Sequence, residues 1–262
     1  MEKPVRLLAT VAVLLLSACS RSMEGPQPTL RGVINPLQRA ETPARVCNAQ
    51  GGPHGWPIEL VGTRFMPVPR DALTDSPAVE LPEVTLRGPA VLTLDSAWIH
   101  IDSPELLRVD LPTRDTSPAQ ELPPGLYAVD VVNPLGGAAS LDEALRVVPP
   151  PTVTRVTAPQ GFTRATGGPL VIEGTDFQPG APPTVVLRRA GAPDVPVAVS
   201  GTPSTTRLDA QVPPETSEGV HDLVLTRAEG CAVTLARAVD VAYAHIGPLN
   251  SRASAPESEA AP

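Results

Sequence analysis

Gly125-Leu126-Tyr127-Ala128-Val129-Asp130-Val131-Val132-Asn133-Pro134-Leu135-Gly136-Gly137 opens a stretch that runs to Val148 and recurs in degenerate form from Gly219 to Ala242. Laid over each other without a gap, the two copies share Gly125/Gly219, Gly136/Gly230, Ala138/Ala232, Leu141/Leu235, Ala144/Ala238 and Val147/Val241. Apolar character also matches at Leu126/Val220, Val129/Leu223 and Val131/Leu225. Alternation at Val129 and Val131, a Gly-rich break and a second apolar run describe a β-hairpin. A second matching block lies upstream. Gly51-Gly52-Pro53 precedes Ile58 to Phe65, and Gly167-Gly168-Pro169 precedes Leu170 to Phe177, both strands ending Gly-Thr-x-Phe. From Gly62 to Gly125 is 63 positions and from Gly174 to Gly219 is 45, so the first copy carries about 18 extra residues between the blocks. They are placed near 67–89, a Pro-rich, acidic segment that either covers a sheet edge, makes an interface or is a solvated loop.

Composition agrees with short strands. The 262 residues hold 34 prolines and 20 glycines, and interior prolines remove helix hydrogen bonds and clash with the preceding turn. Aromatics are 3% while 42% of residues are apolar, so the core must be built from branched aliphatics. In the second copy, strands are predicted at 152–157, 169–174, 184–190, 194–200, 205–212, 219–227 and 231–243, with Pro182-Pro183, Pro196 and Pro213-Pro214 at or between their edges. Seven short segments over one copy describe a seven-stranded sandwich. Tyr127, following Leu122-Pro123-Pro124-Gly125, starts a penultimate strand where its hydroxyl can bond the preceding corner. His221 holds the same place in the second copy and reads as structural.

These motifs resemble the IPT/TIG family of immunoglobulin-like domains. Pro124-Gly125-Leu126-Tyr127 through Asn133-Pro134-Leu135-Gly136 matches the family's ending, and Pro151-Thr152-Val153 its opening in the second copy. The second copy departs from the pattern at Glu218 to His221 and at Arg227 to Gly230. The resemblance implies an all-β chain of two tandem immunoglobulin-like sandwiches, at 29–148 and 152–244. Pro149-Pro150-Pro151 links them as a stiff connector that favours an end-to-end arrangement. The tail 245–262, rich in Ser, Ala, Pro and Glu, has almost nothing to bury and is expected to be disordered.

The first residues read as an export address. Lys3 and Arg6 precede the apolar run Leu7 to Leu16, about half the ~20 residues a membrane span needs. Leu16-Ser17-Ala18-Cys19 is similar to the lipobox of bacterial lipoproteins. That resemblance implies removal of residues 1–18, a lipidated and acylated Cys19 as the new N-terminus, and a tether over 19–28. By resemblance to lipoproteins whose sorting depends on the residue after the lipidated cysteine, Ser20 in place of an aspartate implies the outer membrane, at its periplasmic face or on the cell surface. Cleavage removes Glu2, Lys3 and Arg6, leaving 18 basic and 27 acidic side chains and a net charge of −9. Such acidity argues against nucleic acid and against attraction to anionic lipid headgroups. It leaves Cys47 and Cys231, an even number suited to an exported protein. A disulfide joining the two copies through this pair is the candidate, with unpaired buried thiols the alternative.

The chemistry expected is binding rather than catalysis. Of the histidines His54, His100, His221 and His245, none sits in a metalloprotease pattern, and no nucleophile elbow or phosphate loop occurs. Asp142-Glu143 and Asp71 to Asp75 read as solvated acids. No metal site and no cofactor are expected. His54 and Trp56, in the loop Gly51 to Trp56, are binding candidates if Trp56 does not fold back onto the core. Trp98 and His100 face outward if Ile99 and Ile101 face inward, unless Trp98 packs inside. The partners expected are the membrane, through lipid on Cys19, and another envelope protein. The alternative partner is a glycan stacked on an exposed tryptophan, and a third reading is an accessory domain of an envelope hydrolase.

Overall fold

Alternation of apolar and polar side chains gives most of the chain one face to bury, and the strands form accordingly. From Arg207 to Val212, for example, every second side chain is buried. A computed structural model describes residues 25–70, 78–159, 161–178 and 181–242. The signal segment, Cys19, Asp71 to Asp75, His245 and the tail 245–262 lie outside the described residues. Contacts divide the chain into two units, and the first takes in residues up to Pro151 together with Thr226–Ala232.

The first unit carries β1 (Thr29–Ile34), β2 (Ala44–Cys47), β3 (Trp56–Thr63), β4 (Val68–Arg70), β5 (Ala78–Glu80), β6 (Glu83–Arg87), β7 (Val91–Thr93), β8 (Ile99–Ser103), β9 (Leu106–Leu111), β10 (Gly125–Val132) and β11 (Ala138–Val148). Its sheets run β1-β3-β9-β8 and β2-β11-β10-β6-β7, with β2 parallel to β11. Ile58, Leu60, Leu107 and Val109 of the first sheet share one core with Val84, Leu86, Val129, Val131, Leu145 and Val147 of the second. This is an immunoglobulin-like sandwich of aliphatics.

The second unit holds β12 (Thr152–Thr157), β13 (Gly168–Thr175), β14 (Thr184–Arg188), β15 (Val195–Ser200), β16 (Arg207–Val212), β17 (Gly219–Thr226) and β18 (Ala232–Val241), in the order β12-β13-β16-β15-β14-β17-β18. β15 changes partner along its length. Val195 to Val197 pair with β14, and Ala198 to Ser200 pair with β16. One continuous set of strands thereby wraps a core of Leu170, Ile172, Leu208, Val212, Leu187, Leu223 and Leu225. Pro196 lies inside β15 rather than at its edge, opposite Val186 where the strand is about to leave β14. The parallel ladder of β2 on β11 shrinks in this unit to a single parallel bridge between Thr163 and Ala242.

Two expectations need correction. The segment near 67–89 is not one insertion. Val84 and Leu86 of β6 are fully buried, and β6 pairs with β10 across Glu83 to Arg87, so this stretch belongs to the sandwich itself. What is added is the small β4–β5 ladder, together with residues between β9 and β10, where 14 positions separate Leu111 from Gly125 and only 7 separate Val212 from Gly219. The second boundary also moves. Thr226–Ala232 falls with the first unit, so the second sandwich does not own all of 152–244.

The Gly-Thr-x-Phe blocks form the same corner twice. A Cβ on Gly62 would lie 1.9 Å from the Thr29 carbonyl oxygen and 2.6 Å from the Phe65 ring; on Gly174 it would lie 1.9 Å from the Thr152 oxygen and 2.7 Å from Phe177. The variable residue, Arg64 or Asp176, takes a left-handed φ of 62° or 59° that turns the phenylalanine inward. Phe65 and Phe177 are then 0% and 1% exposed. Threonine pairs close each corner, Thr29 with Thr63 at 2.7 Å and Thr152 with Thr175 at 2.9 Å. Gly62→Ala and Gly174→Ala should each cost about 3 kcal/mol, the upper end for overpacking a core. Gly32→Ala, where nothing lies within 4 Å, should change stability by less than about 0.5 kcal/mol. Urea unfolding followed by circular dichroism separates the two classes.

Candidate functional site

Trp56 opens β3 after a tight turn. Gly52 and Gly55 bond each other through both backbone groups, at 2.8 and 3.1 Å, with His54 exposed at the tip. Gly55 takes a φ of 105°, and a Cβ there would lie 1.8 Å from the Leu111 carbonyl oxygen. Its partner in the other unit is Gly167, φ 59°, where a Cβ would lie 2.2 Å from the Val212 oxygen. The turn Gly51 to His54 therefore precedes the matching glycine instead of matching Gly167-Gly168-Pro169, a register that the Gly-Gly-Pro spelling obscures. The Trp56 indole is half-buried. Its N–H donates to the Ala49 carbonyl at 2.9 Å, and the ring closes on Gly230 so tightly that a Cβ there would come within 2.5 Å.

The same side of the unit holds Cys47 and Cys231, which are joined in a disulfide with α-carbons 5.5 Å apart. Cys47, Ala49 and Cys231 form a small buried cluster against Trp56 and Val148. The Gln50 side chain reads both backbone groups of Ala232, accepting from its amide at 2.8 Å and donating to its carbonyl. Arg227 and Glu229, 4% and 0% exposed, form a buried ion pair, and Arg227 also donates to the Pro149 carbonyl at 3.3 Å. Trp56 is thus committed to the fold. Its half-buried ring packs on Gly230 and against the Cys47–Cys231 cluster.

Trp98 and His100 part company. Asp95 caps a single 3-10 turn, Ser96–Trp98, by accepting from the Ala97 amide at 2.9 Å. That turn takes Trp98 out of the alternation of β8, and the half-buried ring packs against the core beside Ile99. His100 follows the alternation and is exposed, with Nε2 3.6 Å from Asp110 Oδ2. It ends a row across the outer face of the first sheet, Ile34 opposite Glu59, Glu59 opposite Arg108, and Arg108 opposite His100. Both carboxylate and guanidinium in the row, Glu59 and Arg108, are paired. Arg39 grips Glu59 through both guanidinium ends at 2.8 and 3.0 Å, and Arg108 holds both Asp102 oxygens at 2.6 and 2.9 Å. The Asp102 carboxylate, through its hydrogen bond and its charge, raises the Arg108 guanidinium above its ordinary range. The result is a sheet face on which Glu59 and Arg108 stand opposite each other with their charges oriented by ion pairs. Sequence alternation located His100 on it but not the row, because its members meet only through strand pairing distant in sequence.

The other outer face is built the same way. Arg87 binds Asp130 through two guanidinium nitrogens and reaches Ser140 at 3.2 Å, and Arg87 holds the Asp130 carboxyl below the usual carboxylate range. In the second unit His221 is buried at the Tyr127 position. Tyr127 donates its hydroxyl to the Pro123 carbonyl at 2.8 Å. His221 Nδ1 lies 2.9 Å from the Gly219 carbonyl oxygen, to which it donates, and Nε2 lies 3.2 Å from the Ser217 hydroxyl. Among the described residues no group of three His, Cys, Asp or Glu side chains is placed to hold a metal, and no helix is long and apolar enough to cross a membrane.

No protein-family model and no curated protein sequence matches the chain. Among solved structures it is similar to a surface glycan-binding protein from Prevotella bryantii, at 13% identity and a TM-score of 0.28, over 81% of this chain and 42% of that one. It is similar to the SGBP-B protein of a Bacteroides ovatus mixed-linkage glucan utilization locus, in complex with a mixed-linkage heptasaccharide, at 15% identity and 0.28, over 84% and 46%. It is also similar to titin domains z1z2 in complex with telethonin, at 14% identity and 0.25, over 85% and 100%. The chain spans less than half the length of the two glycan-binding proteins.

Removing the disulfide should be costly, since it closes a loop between residues 184 positions apart. Cys47→Ser with Cys231→Ser is expected to lose about 2–5 kcal/mol. In the unmodified protein, thiol alkylation without reductant should label neither residue, and both should be labelled after reduction; mass spectrometry of the two peptides reads the outcome.

Proposed function

We propose that the protein is a lipid-anchored module of the cell envelope, held by Cys19 at the outer membrane, whose two IPT/TIG-like sandwiches bind another envelope protein and carry no catalytic centre. The observation that carries the binding reading is the row Glu59, Arg108 and His100 on the outer face of the first sheet. Its charges are oriented by ion pairs before any partner arrives, which favours electrostatic complementarity and register over stacking on a ring. With Trp56 spent on the hairpin segment and Trp98 half-covered, the first unit offers little aromatic surface for a sugar. The anchoring part rests on the lipobox spelling Leu16 to Cys19.

A photo-crosslinker placed at His100 of the lipidated protein in intact envelopes should capture one discrete protein partner. Arg108→Glu should reduce that capture by about tenfold, the size of one lost charge pair at an interface. Undiminished capture by Arg108→Glu would remove this face as the binding surface. The second reading, glycan binding, is favoured by the part of Trp98 that stays exposed at the edge of the sheet. A glycan array with residues 20–262 tests it: binding lost in Trp98→Ala supports a sugar, and binding indifferent to that substitution excludes stacking there.

A further inference from the structure

The exposed large apolar side chains are not scattered evenly. Of the seven exposed large apolar side chains among the described residues, Met66 (42% exposed), Val79 (56%), Val132 (38%) and Leu135 (51%) lie near one another at one end of the first sandwich, while Leu37 lies beside Gly230. Val79 and Val132 line a common open groove of about 560 Å³ together with Asn133 and Pro134. Asn133 ties the group together: its Oδ1 accepts from the Met66 amide at 3.2 Å, and its Nδ2 donates to the carbonyls of Arg64 and Pro26, at 2.8 and 3.1 Å.

The first described residues lie at this same end. The Gly25 amide donates to the Leu135 carbonyl at 2.9 Å, and the Gln27 side chain donates to the Ala138 carbonyl at 3.2 Å. Gly25 is six residues beyond Cys19. Six residues reach at most about 20 Å, even fully extended. A headgroup layer accounts for roughly 6–8 Å of that reach. Acyl chains on Cys19 would therefore keep Gly25 and Leu135 within roughly 13 Å of the membrane surface.

We propose that this apolar end of the first sandwich rests on the lipid surface that holds Cys19, with Leu135, Val132, Val79 and Met66 entering the interfacial layer. The proposal rests on the reading of Cys19 as lipidated. Interfacial contact grows with the apolar area it covers, and the short tether brings lipid to this patch before any other surface. Charge does not drive it. Arg70 at the groove is paired with Glu80, and the mature chain is acidic, so zwitterionic lipid is sufficient. The opposite end of the same sheet serves as a control. Val132 pairs with Glu83 at the proposed lipid end, while Val91, 70% exposed, pairs with Arg87 at the other.

The test is photo-crosslinking of the full acylated chain in phosphatidylcholine vesicles, with p-benzoylphenylalanine placed singly at Leu135, Val79, Val91 or Val220. Phospholipid adducts on the peptides holding positions 135 and 79, and none above background at 91 and 220, are the expected result. The mass of the N-terminal peptide is measured on the same samples. Acylated Cys19 with no lipid adduct at 135 and 79, or with equal adducts at all four positions, overturns the docking while leaving the anchor intact. An unmodified Cys19 on protein made with its signal removes the anchor, and the docking falls with it.

Discussion

Phe65 and Phe177 can bury their rings only because a glycine stands above each one. The backbone oxygen of the first strand in each unit, at Thr29 or Thr152, comes so close to that glycine that no side chain fits between them. This approach sets how the opening strand lies on the next, and with it the spacing of the sheet against which the rest of the sandwich packs. The left-handed residue that follows makes the chain turn at that point. The two units agree on this corner more closely than on any other feature, although their sheets are joined differently. In the first, a 3-10 turn separates β7 from β8 and the sheets are distinct; in the second, β15 spans both faces. The aliphatic core tolerates that variation, and the corner does not.

Much of the architecture was legible because it depends on local pattern. Alternation placed the seven strands of the second copy, and the Gly-Thr-x-Phe spelling marked the corner twice. Other features were hidden for physical reasons. The pairing of β6 with β10 lies between residues more than forty positions apart, so an apolar strand within a proline-rich segment looked like part of an insertion. The loop around Trp56 reads as an exposed Gly-rich tip, yet the ring is covered by Gly230, a residue whose proximity no local pattern reveals. Trp98 shows the limit of alternation itself. One capped turn before β8 was enough to take the ring out of phase with His100. The charged row on the first sheet is a further case, since its members come from four strands and the loop that carries Arg39.

Function follows from how the surface is divided. The aromatic side chains described are used inside the two units, or half-covered at their margins, so the proposed reading assigns recognition to paired charges and membrane contact to a small apolar end. Paired charges on a flat sheet contribute little stability individually, but they fix where donors and acceptors point. That is the property a docking face needs. The apolar end has a different relation to the chain, because Gly25 and Gln27 are hydrogen-bonded beside it. On the proposed reading, anchor and recognition face are separate parts of one small sandwich. The second unit repeats the scaffold with a histidine in the tyrosine position, its ring held between the Gly219 carbonyl and Ser217.

Amide hydrogen exchange of the folded protein tests most directly the claim that two aliphatic cores are built on the same plan. Slow exchange is expected for the paired strands of both units, β3, β9 and β10 in the first and β13, β16 and β17 in the second, with the turns at 51–55 and 201–206 exchanging fast. Fast exchange throughout β13, β16 and β17 would contradict it, because a second sandwich with a buried core of its own cannot leave those amides open to water.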